Sequence, residues 1–362
     1  MNDGRNINPA LGTLSGEGSH QKVSGESLQE VTAFRQPGYV QSDPTYYERP
    51  VIKKSVWSWT IPAYYYVGGA SGGAMILGAA ATLLNRDGLP GLVEHSRLIG
   101  AGGGIVSSAL LIHDLGKPSR FLYMLRVFRP TSPMSVGSWI LVLFSSAAGL
   151  SALAGLGPQS VRSMGDTTAV VAGILGLGLA GYTGVLVSHT SVPLWQRLHR
   201  LLPVLFLSSG VASAASLFDL LGRNRRERRA VAIFGTAGRL VELTVGELAE
   251  RRLATVPEAV RPLHDGFSGA VWKAAKVFTA ASLVLSLVPN ASKRLRRVAG
   301  VFGTLGSIFT RFAVHYAGQR SATNPRATFH QQRSGEGAFP FTGQAAIAGP
   351  HGVRACEAKP ER

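Results

Sequence analysis

The chain holds a single cysteine, Cys356, among its 362 residues. That excludes an intrachain disulfide, a four-thiolate iron–sulfur cluster, c-type haem attachment and a thiolate zinc site, so any electron carrier working with this chain is supplied otherwise. Charge is the second scarcity. No Asp, Glu, Lys, Arg or His occurs between Ser55 and Asn85, whereas core helices of soluble proteins rarely stay uncharged beyond about 14 residues and a bilayer core needs about 20 apolar residues per helix. Acidic residues number 20 against 37 Lys and Arg. Phosphate-cradling loops are missing too: Gly68, Gly69, Gly72, Gly73 and Gly100, Gly102, Gly103, Gly104 lie inside apolar runs with no strand before them, so a dinucleotide fingerprint fails its context.

What remains reads as an all-α integral membrane protein. Apolar windows at about 57–84, 92–114, 134–157, 167–189, 201–220, 230–249, 269–288 and 298–318 predict an eight-transmembrane-helix bundle, two four-helix halves with both termini on one side. The sixth window carries Arg239, Glu242 and Glu247 and the seventh Lys273 and Lys276, so either is alternatively an amphipathic segment along the interface. The transmembrane domain is expected over 55–318, between polar tails at 1–54 and 319–362 that contain no apolar run able to bury a core. Met1 opens onto polar sequence, so no cleavable signal peptide is expected.

The net charge of +17 points to lipid headgroups rather than nucleic acid. The cations sit in connections between spans, most densely at Arg223, Arg225, Arg226, Arg228, Arg229 and at Lys293, Arg294, Arg296, Arg297. Basic residues are equally numerous in the loops of both faces, so the positive-inside rule ties; placing the two dense clusters in the cytoplasm puts both termini outside.

Glycines spaced by four, Gly68/Gly72, Gly69/Gly73 and Gly100/Gly104, suit close helix packing in lipid, here between the first two helices. Beside Tyr64, Tyr65 and Tyr66 the same small-residue surface also offers a slot for a flat ligand. The stretch His113-Asp114-Leu115-Gly116-Lys117-Pro118-Ser119-Arg120-Phe121 closes the second span and gathers an acid, an imidazole and bases at one membrane face. Gly116 and Pro118 suit a helix stop, and Arg120 a lipid phosphate. Asp114 fits that account poorly, because its charge opposes the dipole at a helix C-terminus, and ionisable groups at this depth mark ion paths, proton relays or ligands.

Four stretches resemble the NrfD-like, or polysulfide reductase membrane-subunit, proteins of bacterial respiratory complexes. They are Tyr64-Tyr65-Tyr66-Val67-Gly68-Gly69-Ala70-Ser71-Gly72-Gly73, the Asp114 to Phe121 turn, Arg129-Pro130-Thr131-Ser132-Pro133-Met134-Ser135-Val136-Gly137-Ser138-Trp139, and Ser191-Val192-Pro193-Leu194-Trp195. The similarity runs from about 57 to 325. It implies a multi-pass subunit of the bacterial inner membrane that exchanges electrons between the quinone pool, menaquinone or ubiquinone, and a docked iron–sulfur (ferredoxin-like) subunit, usually beside a molybdopterin catalytic subunit. No intrinsic haem, cluster or metal site is expected. Many relatives carry Arg where Lys117 stands, and Trp near Val136 and Ser138.

Quinone turnover moves two electrons and two protons, so a pocket must pair an apolar slot with proton-exchanging groups. With eight spans, Tyr64 to Tyr66 and His113 with Asp114 fall on one face. The expected quinone site is Tyr64, Tyr65, Ser71, Gly72, His113, Asp114 and Trp139, with Asp114 exchanging protons. Arg239 and Glu242, three apart, can pair on one helix face, either as a structural ion pair or as part of a proton route with Glu247, Lys273, Lys276 and Arg311. Lys117, Arg120, Arg126 and Arg129 are the expected docking cations. Two other classes stay open. A haem b anchor would use His189, His199 or His315, which share one face, and a secondary transporter would show internal repeats, of which none is evident.

Overall fold

The protein is described here by a computed structural model covering residues 52–328 apart from Arg86, Gly222, Arg223, Asn290 and Arg326. Residues 1–51 and 329–362, which hold most of both expected tails and Cys356, lie outside the described residues. The described residues contain helices and no strand: α1 Thr60–Asn85, α2 Pro90–Asp114, α3 Arg120–Leu125, α4 Pro133–Leu156, α5 Gln159–Ser188, α6 Pro193–Arg197, α7 Leu202–Leu221, α8 Arg225–Ala254, α9 Pro257–His264, α10 Gly266–Leu287 and α11 Lys293–Ala322. Each expected window lies on one of the eight long helices. Six of them, α1, α4, α5, α7, α10 and α11, are long and apolar enough to cross a membrane. Charge and glycine keep α2 and α8 out of that set: α2 carries Glu94, Arg97 and Asp114, and α8 carries Arg239, Glu242 and Glu247.

The helices start where their sequences say. Pro90 and Pro133 open α2 and α4 at positions where no amide is needed. Ser132 and Ser292 cap α4 and α11 by accepting from the amides of Ser135 and Leu295, at 3.4 and 3.2 Å. Glu227 serves two helices at once. Its carboxylate accepts from Asn224 N at the start of α8 (3.3 Å) and from Leu92 N at the start of α2 (3.0 Å), setting a buried negative charge at two positive helix ends.

Two groups of four long helices form. In the first, α1 packs on α2 and α5, and α4 packs on the same two; in the second, α7 packs on α8 and α11, and α10 on the same two. The groups meet where α1 touches α7 and α11 and where α5 touches α7. Small residues make these seams. A Cβ on Gly72 would stand 2.6 Å from the Gly176 carbonyl oxygen, and one on Gly176 2.7 Å from that of Gly72, so α1 and α5 touch backbone to backbone. Gly73 presses equally close on the Gly210 carbonyl of α7. The glycine run of the first helix thus packs mainly against α5 and α7, while α1 meets α2 through Gly78 with Ser96 and Gly103 with Ser71.

Helix α11 continues past the expected boundary at 318. Gln319 Nε2 donates to Trp57 O at 3.1 Å, and Ser321 Oγ accepts from Leu194 N at 3.3 Å, so the last turn is held by the segment ahead of α1 and by α6.

Candidate functional site

An apolar cavity of about 230 Å³ opens between the N-terminal end of α1, the C-terminal ends of α2 and α5, and the start of α4. Its walls include Ile61, Leu111, Met124, Met134, Leu179 and Leu186, and its polar groups are Tyr64, Tyr65, Asp114, Ser138, Tyr182 and Thr183. Tyr182 Oη is used structurally, donating to Pro133 O at 3.0 Å and tying α5 to the first turn of α4. Two hydroxyls are not used. Tyr65 Oη and Thr183 Oγ1 are buried and have no hydrogen-bond partner among the described residues. A buried orphan hydroxyl costs about 1 to 3 kcal/mol, and two on one cavity call for an explanation.

Asp114 ends α2 but serves α1. Its Oδ1 accepts from Ser58 N at 3.2 Å, Ser58 Oγ at 2.7 Å and Thr60 Oγ1 at 3.1 Å. A carboxylate that would oppose the dipole of its own helix thereby meets the positive end of the neighbouring one. The expectation that Tyr64, Tyr65 and Asp114 share one face is met, since all three line the cavity.

The remaining expected residues stand elsewhere. Ser71 is buried with Oγ donating to Val67 O at 2.7 Å, and Gly72 lies against Gly176. His113 is exposed. Trp139 sits beside the cavity-lining Ser138, its ring edge-on to Phe128 with centroids 6.2 Å apart.

The connection from Leu115 to Ser132 roofs the cavity. It turns at Gly116, whose φ of +68° is the left-handed conformation glycine adopts freely, and then forms the short α3. Leu115 and Met124 line the cavity, whereas Lys117, Arg120, Arg126 and Arg129 are exposed, interleaved with exposed Leu122, Tyr123, Val127 and Phe128. None of the four cations makes an ion pair among the described residues.

Residues 50–322 match the family described as Polysulphide reductase, NrfD, a stretch that contains every long helix. The protein belongs to the NrfD family. It is also similar to the C subunit of polysulfide reductase from Wolinella succinogenes, with 29% identity over 189 residues, 46% of this protein and 58% of that relative. The similarity therefore spans well under two thirds of the length of that relative. With its several apolar helices, this NrfD-family protein is a membrane protein.

In the second helix group the NrfD-family protein buries a run of ionisable side chains. Arg239 (1% exposed) pairs with Asp219 at 3.6 Å and donates to Ser216 Oγ and Ser286 Oγ at 3.0 Å each. Glu242 (3% exposed) accepts from Thr310 Oγ1 at 2.9 Å. Arg311, wholly buried, donates to Phe206 O at 2.9 Å with its guanidinium carbon 5.0 Å from the Phe206 ring centre. Tyr65 packs on Phe206 and on His315, and His315 packs beside Trp57 and Trp195, which stack on each other, with Gln319 Nε2 3.1 Å from its Nε2. So the expected Arg239–Glu242 pair is replaced by two cross-helix arrangements. Glu247 and Lys276 form a half-buried ion pair at 3.3 Å, with Glu250 at 3.1 Å from the same ammonium, and Lys273 donates to His264 O. His189 and His199 turn Nδ1 onto carbonyls of Val185 and Gln196. Among the described residues no three His, Cys, Asp or Glu gather in a way that would hold a metal.

Sequence reasoning missed Thr183, Tyr182 and Asp219. Each carried a faint signal: Tyr182-Thr183 interrupts a Gly- and Leu-rich run, and Asp219 is the one acid in α7.

Proposed function

We propose that this protein is the quinone-interacting membrane subunit of a respiratory oxidoreductase complex. In this reading an eight-span bundle in the bacterial inner membrane passes electrons between the quinone pool and an iron–sulfur subunit docked on the Leu115 to Ser132 connection, with a molybdopterin-type catalytic subunit beyond it. The carrying observation is the pair of orphan hydroxyls, Tyr65 Oη and Thr183 Oγ1, on an apolar cavity that also holds Asp114. Buried donors without acceptors suit a planar apolar ligand that brings carbonyl oxygens. The cavity is smaller than the roughly 300 Å³ at which pockets begin to enclose a drug-sized ligand, so it suits a ring, with the isoprenoid tail left in lipid.

A quinone supplies the two-electron, two-proton chemistry. The protein's own part is to donate hydrogen bonds from Tyr65 and Thr183, to keep water out with Ile61, Leu179 and Leu186, and to hold or move a proton at Asp114, whose remaining oxygen, Oδ2, is free of the three bonds that anchor Oδ1. The interleaved cations and aromatic residues of the roof suit an acidic partner rimmed by polar groups. The test is titration of the complex, purified with its companion subunits, with a quinol analogue. Tyr65→Phe and Thr183→Val each weaken binding several-fold in this reading, and unchanged affinity in both variants would overturn it.

A second role, proton translocation, is favoured by the buried Arg239, Glu242 and Arg311 and the partly buried Asp219, since intramembrane ionisable groups are costly unless used. Complex in sealed vesicles should move protons beyond those released by quinone chemistry. Turnover without that excess would leave the run a structural one.

A further inference from the structure

At the end of the bundle opposite the turn that carries Asp114, a second cavity of about 370 Å³ opens where α7 ends and where α8 and α11 begin. Its polar wall is Arg228, Lys293, Arg296 and Arg297, and its apolar wall is Phe218, Leu221 and Val231. Among the described residues Asp219 is the only acid lining it, and that carboxylate is turned to Arg239 at 3.6 Å. Arg296 Nε donates weakly to Ala291 O at 3.4 Å, while Arg228, Lys293 and Arg297 have no carboxylate partner among the described residues. Four cations on one concavity repel each other, and both helix starts add partial positive charge. Exposed Arg225, Arg226, Arg229 and Arg294 raise the same field.

We propose that this cavity is a site for the phosphate of an anionic phospholipid headgroup, with buried Phe218 and Val231 closing its floor and the acyl chains leaving over exposed Leu221. The split lining argues for lipid over free phosphate: α7 and α11, whose ends form the cavity, are both membrane-crossing in length and composition, which sets the cations at headgroup depth. Basic pockets between helices at that depth hold acidic lipids. This site is independent of the quinone reading and lies at the other membrane face.

The full-length protein in nanodiscs tests it. Thermal unfolding is compared in zwitterionic phosphatidylcholine alone, with added phosphatidylglycerol or cardiolipin, and with inorganic phosphate in the zwitterionic disc, alongside native mass spectrometry of retained lipid. Anionic lipid raises the unfolding temperature of the wild type, and phosphate alone does not. Removing two cations in R228Q/R297Q, at about fivefold each, weakens lipid retention about 25-fold, while R228K/R297K keeps most of it. Equal retention in the glutamine variant and the wild type, or an equal effect from phosphate alone, would overturn the proposal.

Discussion

Ser58 Oγ donates to Asp114 Oδ1 at 2.7 Å, closing the C-terminal end of α2 onto the N-terminal end of α1. The bond fixes the mouth of the cavity, since Asp114 is both the anchor of that corner and a wall residue. Replacing Asp114 with Asn keeps an acceptor for Ser58 and Thr60 but removes the charge. Asp114→Asn should therefore assemble with its companions and lose most quinol-linked electron transfer, about a hundredfold or more by the usual worth of general acid–base groups. Steady-state turnover of the purified complex checks this; full turnover in the variant would confine Asp114 to anchoring.

Tyr65→Phe separates stability from binding. The hydroxyl has no partner among the described residues, so deleting it leaves thermal stability unchanged or slightly higher, while a quinol analogue loses a hydrogen bond of about 1 kcal/mol, roughly fivefold in affinity. Calorimetry and ligand titration on the same preparation read both.

Asp219→Asn strips the carboxylate from buried Arg239, leaving Ser216 and Ser286 as its partners. An uncompensated buried charge costs about 3 to 5 kcal/mol, which appears as a lower unfolding temperature. Glu242→Gln keeps an acceptor for Thr310 and should fold. In vesicles it should retain electron transfer and lose proton movement in excess of quinone chemistry.

Gly176→Val drives a branched side chain into the Gly72 carbonyl. Overpacking of this kind costs about 1 to 3 kcal/mol, and because two backbones meet there, neither helix can yield alone. Unfolding temperature in detergent measures it.

Reversing charge at Arg120, Arg126 and Arg129 should abolish co-purification of the proposed iron–sulfur partner, and the wild-type association should weaken as salt is raised across the range where the Debye length falls from about 10 to 3 Å. A pull-down at two ionic strengths distinguishes this from an apolar contact through Tyr123 and Phe128, which salt would spare.

Much of the architecture was legible because length and missing charge mark membrane helices without knowledge of partners. The corner of Tyr64, Tyr65 and Asp114 was legible too, since successive spans alternate in direction and bring the start of α1 beside the end of α2. Spacing failed where side chains reach between helices. Arg239 and Glu242 are near neighbours on α8, yet Asp219 of α7 and Thr310 of α11 compete for them, and no local pattern encodes that choice. The glycines were read in part: Gly100 and Gly103 meet Met75 and Ser71 in the tight packing of the first two helices, but spacing by four does not say which further helix is met, and Gly72 and Gly73 press on α5 and α7.

Helix α3 has six residues, too few to hold itself together in water. Its order is borrowed from the cavity wall against which Met124 packs, since Leu122 and Tyr123 are exposed. On the proposed function, filling the chamber below would stiffen the lid and loading the lid would steady the chamber, so two occupants that never touch should favour each other's arrival.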